Sequence, residues 1–202
     1  MRTGFLLLLS VLLNLPLWAH RGKMQVSHKN VAPIVVVSSY NPDVKSISDN
    51  ISAFYEQYTK SGLPNPVAVE DINAQNLPDG KRWRTRLKRV LNKYYSRGNR
   101  PACIVLLGME VSSAYFSFDD DEKLRQTPVV VGLRSSAIVK MPQDSVDFKK
   151  WDPVAYDVTT DFKHFNIVGG EVYHYDMKKN FDLIKHFYPK CDTLTFMSDN
   201  TL

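Results

Sequence analysis

The sequence predicts an α/β fold, a parallel sheet flanked by helices on both faces. Three observations carry this expectation. Short apolar runs without alternation recur, as IVVV (34–37), PVAV (66–69), CIVLL (103–107) and PVVV (128–131). Such runs suit strands buried on both faces. Between them lie longer stretches whose apolar residues recur at helical spacing, and a polar or glycine-containing segment follows each run.

The first strand runs from Val31 to about Ser38, and Ser38 to Asp43 form the loop at its carboxyl end. A helix follows, capped by Ser46 or Ser48, with Ile47, Ile51, Phe54, Tyr55 and Tyr58 at helical spacing. Gly62 ends it. Residues 66–72 are the second strand, and 76–80 a turn. Lys81 to Arg97 form an amphipathic helix, with Trp83, Leu87, Val90, Leu91 and Tyr94 on one face. Residues 102–108 are the third strand, Met109 to Phe118 a short helix, FDDDEK a solvated turn and 127–133 the fourth strand. Strands alternating with helices imply right-handed crossovers and a parallel sheet. The strand ends at Ser38, Asp71, Leu107 and Val131 should then share one edge.

Residues 135–163 are polar and irregular, with Trp151 and Tyr156 as anchors. Residues 165–176 hold a short extended piece around Gly169–Gly170. Asp176 or Tyr175 opens a helix with Met177, Phe181, Ile184 and Phe187 on its apolar face. Cys191 to Met197 reads as a further buried strand, and no helix follows to cover it. The domain expectation is a leader over 1–19, a first α/β lobe over 31–165, a crossover segment and helix over 166–190, and the start of a truncated second lobe over 191–202.

Composition narrows the function. The chain has 202 residues, 44% hydrophobic and 23% charged, with a formal charge of +5; these are ordinary values for a globular protein. Arg2 precedes an apolar core, Phe5 to Leu17, too short to span a bilayer, which takes about 20 residues. This core and Leu17-Trp18-Ala19 read as a secretory signal peptide cut after Ala19; the alternative is an uncleaved anchor. Export places the chain in the periplasm, or tethers it to the membrane as part of a longer protein. The two cysteines, Cys103 and Cys191, each open an apolar run. They read as buried free thiols, though an oxidising compartment permits a disulfide. No metal-ligand spacing, catalytic triad or phosphate-binding glycine loop is present, so no metal, no cofactor and no enzyme activity are expected. Glu70 and Asp71 are adjacent in a strand and point to opposite faces, which disfavours an acid/base pair. Eight cations lie on the helix 81–97. They form its solvated side beside a regular apolar face, and no nucleic-acid partner is expected.

Candidate binding residues follow from the strand ends. Ser38, Ser39, Tyr40 and Asn41 offer hydroxyls, an amide and a ring to a small polar ligand; the ordinary alternative is an Asn-Pro turn. Gly108, Met109 and Glu110 follow the third strand, where a helix start can present N–H groups, although Glu110 opposes a strongly anionic ligand. Gly132, Arg134, Ser135 and Ser136 follow the fourth, and Arg134 can clamp a carboxylate; the alternative is a surface arginine.

The ordered tokens IVVVSSYNPD, ACIVLLGME, TPVVVGL, IVGGEVYHYDMKKNFDLIKHFYP and TLTFMSDNT resemble the periplasmic substrate-binding-protein-like family. That family, of the ABC transporter substrate-binding type, serves as transporter solute receptors and as sensor regions of histidine kinases. The nearest resemblance is to the N-terminal part of the sensor region of hybrid two-component kinases of gut Bacteroidetes. It covers residues 31–202, with Asn41 where the family often carries His. The resemblance implies a periplasmic-binding-protein-like lobe and a non-catalytic, extracytoplasmic ligand-sensing module; a solute-binding protein of a transporter is the alternative. Asp199 and Asn200 would then face the cleft from a second lobe. Implied partners are a small-molecule ligand, a membrane-bound kinase portion or transporter, and a second copy of the chain.

Overall fold

The computed structural model describes residues 31–195 except 97, 99, 145, 148 and 149. The leader expected over 1–19, and Asp199 and Asn200, lie outside the described residues. Among those described, no helix is long and apolar enough to cross a membrane.

In chain order the elements are β1 (Ile34–Ser38), α1 (Lys45–Lys60), β2 (Val67–Asp71), α2 (Gly80–Tyr95), β3 (Cys103–Leu107), α3 (Met109–Phe116), α4 (Glu122–Gln126), β4 (Val129–Leu133), β5 (Ala137–Val139), β6 (Ala155–Asp157), β7 (Ile167–Val172) and α5 (Met177–Phe187). Five strands form one parallel sheet in the order β2-β1-β3-β4-β7. The register sets Ser38 beside Asp71 and Leu107, and Leu107 beside Gly132. The polar ends of the strands therefore share one edge, as the alternation of elements predicts.

One face of the sheet carries the main core. Val35 and Val37, Ile104 and Leu106, and Val129, Val131 and Leu133 point there by strand alternation. Trp83, Leu87, Val90 and Leu91 of α2 pack onto them, together with Val111, Ala114, Tyr115 and Phe116 of α3. Arg86 ties α2 to the end of β2, donating to the carbonyls of Ile72 and Asn73 at 2.9 and 2.6 Å. Glu70 accepts from Lys93 Nζ and the Tyr94 hydroxyl, so this acid is part of the packing of α2. Trp151 and Tyr156 do anchor the irregular stretch. Phe162 and Phe165 complete an aromatic cluster with Tyr115 and Phe116. β5 and β6 pair antiparallel within this stretch.

The opposite face is covered more thinly. Val36 and Val105 are buried there, while Val69 remains exposed. α1 lies on this side, its first turn bordering Leu107 and Gly132.

One expectation gains detail and three need correction. The short extended piece expected around Gly169–Gly170 is the fifth strand of the sheet, parallel to β4. A register shift accommodates the Gly169–Gly170 pair, which dilutes the apolar signal that marks the other strands. Residues 191–195 are not a strand; an apolar run becomes one only where a neighbour satisfies its backbone groups. The helix after β1 is capped by neither Ser46 nor Ser48. It begins at Lys45, with Val44 at the N-cap position and no side-chain cap. The acidic turn holds a short helix, α4, because Asp121 Oδ1 accepts from the N–H groups of Lys123 and Leu124. Both cysteines are free, and both are half-buried. Burial raises the Cys103 thiol pKa, partly offset by a backbone hydrogen bond.

Candidate functional site

A groove opens at the carboxyl edge of the sheet, between the strand ends and the start of α1. Its volume is about 670 Å³, and it is lined by Tyr40, Leu107, Gly108, Gly132, Arg134 and Leu133, by Val44, Ser46, Ile47 and Asn50, and by Glu171 and Tyr173. A cavity of this size fits a small molecule. Parallel sheets place such sites here because each strand hands over to its helix at this edge.

The loop after β1 is held from beneath. Ser39 is fully buried; its N–H donates to the Leu107 carbonyl at 2.9 Å, and its Oγ accepts from Val111 N–H at 3.0 Å. This contact locks β1, β3 and α3 together, and it leaves Gly108 no room for a side chain. A β-carbon at Gly108 would sit 2.3 Å from Ser39 Oγ, and the backbone there has φ +113°, which disfavours any other residue. The Ser38 hydroxyl accepts from Tyr40 N–H at 3.2 Å. The Tyr40 hydroxyl in turn donates to Glu110 Oε1 at 2.6 Å. Glu110 is 2% exposed, so this bond fixes the ring of Tyr40 as a wall of the groove.

The remaining predicted residues separate by role. Tyr40, Gly108, Gly132 and Arg134 come together in the groove. Ser39, Met109 and Glu110 are buried behind it. Asn41 is exposed, and its Oδ1 accepts from Asp43 N–H at 2.9 Å to close the turn into α1. Ser135 Oγ accepts from Ala137 N–H at 3.2 Å and opens β5.

Sequence reasoning missed Glu171 and Tyr173. Glu171 is paired near the end of β7, and Tyr173 follows directly after the strand. Their spacing of two is the missed signal, because alternate strand residues share a face. Glu171 lies opposite Gly132 in the β4–β7 register. The Glu171 carboxylate raises the Tyr173 phenol pKa, as its hydrogen-bond partner and as a neighbouring negative charge. No group of His, Cys, Asp and Glu suited to a metal ion occurs among the described residues.

The chain matches no family model, no curated protein and no solved structure.

Proposed function

We propose that the chain is a ligand-binding module with no catalysis of its own, the extracytoplasmic sensing part of a two-component sensor kinase. One observation carries the binding part of this reading: loops from β1, β3, β4 and β7 converge with the start of α1 on one groove. Its lining mixes apolar walls of Leu107, Leu133 and Ile47 with a few polar groups, Arg134, Glu171 and two phenols. That mixture suits holding and orienting a small molecule. The sensing role and the export rest on the leader-like N-terminus and on the resemblance of the strand-end tokens to the sensor regions of such kinases. In that setting a bound ligand shifts the balance between two conformations, and the shift is passed to a membrane partner. A solute receptor for a transporter would use the same groove.

The test is a thermal-shift panel of sugars, amino acids, nucleosides and short peptides, run on the wild-type chain and on Ser46→Trp. Ser46 is exposed on the first turn of α1 and lines the groove, so the indole fills the site without touching the core. At a hundredfold excess over Kd, a true ligand should raise the Tm of the wild type by about 5–10 °C. The same compound should leave Ser46→Trp unmoved. A panel without any binder, or one whose binder shifts both proteins equally, contradicts the reading.

A further inference from the structure

The groove carries two opposite charges. Glu171 on β7 stands beside Gly132 on β4, and Arg134 follows directly after the end of β4; both line the groove. Gly132 contributes no side chain, and Leu107 covers it: a β-carbon there would stand 3.3 Å from Leu107 Cδ2. Glu171 and Arg134 are both exposed. Neither takes part in any ion pair among the described residues, and Glu171 accepts a hydrogen bond from the Tyr173 hydroxyl at the groove wall. The neighbouring wall, Leu107 and Ile47, is apolar, and the Tyr40 ring is held in place through Glu110.

We infer that the groove selects a small zwitterion of amino-acid size, with its carboxylate on Arg134, its ammonium on Glu171 and an apolar side chain along Leu107 and Ile47. This inference rests on the proposed binding role of the groove. A guanidinium takes a carboxylate through paired N–H donors, and a carboxylate accepts the ammonium in turn. A ligand with only one pole leaves the other charge of the groove without its partner. A neutral sugar uses neither. The binding specificity therefore lies in the simultaneous presence of both charges on one small molecule.

The experiment titrates the 202-residue chain with leucine and phenylalanine, with their N-acetyl and carboxamide derivatives, and with glucose and adenosine, by calorimetry. The free amino acids should bind, and each blocked derivative should bind at least about tenfold more weakly, the scale of a lost hydrogen bond to a charged group. Arg134→Gln and Glu171→Gln should each weaken leucine or phenylalanine by about the same factor while the Tm of the unliganded protein stays within a degree or so, since both side chains are exposed. The double exchange Arg134→Glu with Glu171→Arg should recover part of the affinity. Blocked derivatives binding as well as free amino acids, an unchanged affinity in Glu171→Gln, or no binding of either amino acid at millimolar concentration overturns the zwitterion. If glucose or adenosine binds instead, and Ser46→Trp abolishes it, the groove stands and only its chemistry is wrong. If a bound amino acid survives Ser46→Trp unchanged, both readings fall.

Discussion

Two helices of sixteen residues each, α1 and α2, follow the first two strands, and the sequence marks both as amphipathic. Only one enters the core. α2 buries Trp83, Leu87, Val90 and Leu91. α1 has no buried residue, and Tyr55 on it is 54% exposed. The difference shows that helical spacing reports which residues share a face, not how deeply the face is covered. α2 packs against β2 and α3, on the face of the sheet where Val35, Val37, Ile104 and Leu106 are buried. α1 lies on the thinner side and borders the groove with its first turn. The deeply packed helix holds the sheet; the shallow one shapes the site.

The largest expected effect breaks this contrast directly. Leu87→Ala should cost about 2–5 kcal/mol, because it opens a cavity in a packed core, while Tyr55→Ala should cost less than about 0.5 kcal/mol. Urea unfolding of both variants compares them. Equal losses would mean that α1 is as firmly docked as α2.

The next contrast lies within a single pair of residues. A β-carbon at Gly170 would stand 2.1 Å from the Val131 carbonyl oxygen, with φ +145°, while one at Gly169 meets nothing within 4 Å. Gly170→Ala should therefore cost about 1–3 kcal/mol or more through backbone strain, and Gly169→Ala close to nothing. Similar losses from the two would show that β7 does not pair with β4 in this register.

This pair also marks the limit of what could be read in advance. β1, β3 and β4 were legible because their neighbours bury both faces, which leaves uninterrupted apolar runs. β7 is an edge strand with one exposed face; Val168 is 57% exposed. Its glycines and Glu171 erase the run, so its place in the sheet depends on β4, far away in the sequence. The same blind spot hid Glu171 and Tyr173. Tyr40, Gly108, Gly132 and Arg134 were found because they follow the legible strands. The burial of Ser39 and Glu110 was not legible, since it arises where the start of α3 meets the loop after β1, a contact between residues about seventy positions apart.

A smaller effect separates the wall of the groove from its floor. Tyr40→Phe removes the donor to Glu110 Oε1 and should cost about 1–2 kcal/mol, because a buried acceptor loses its partner. The same variant should weaken any groove ligand, as the ring is no longer fixed. Thermal unfolding with and without ligand reads both. Smallest of all, Lys93→Ala should cost less than about 1 kcal/mol, since its ion pair with Glu70 reaches solvent, and the Tyr94 hydroxyl still serves that carboxylate.

Amide hydrogen exchange, with and without the tightest compound from the panel, maps the site most directly. Protection should rise in the segments around 40–47, 107–110, 132–135 and 171–173 and stay level along α2. Protection confined to the exposed face of α5, or spread evenly over the chain, would contradict a ligand seated at the carboxyl edge of the sheet.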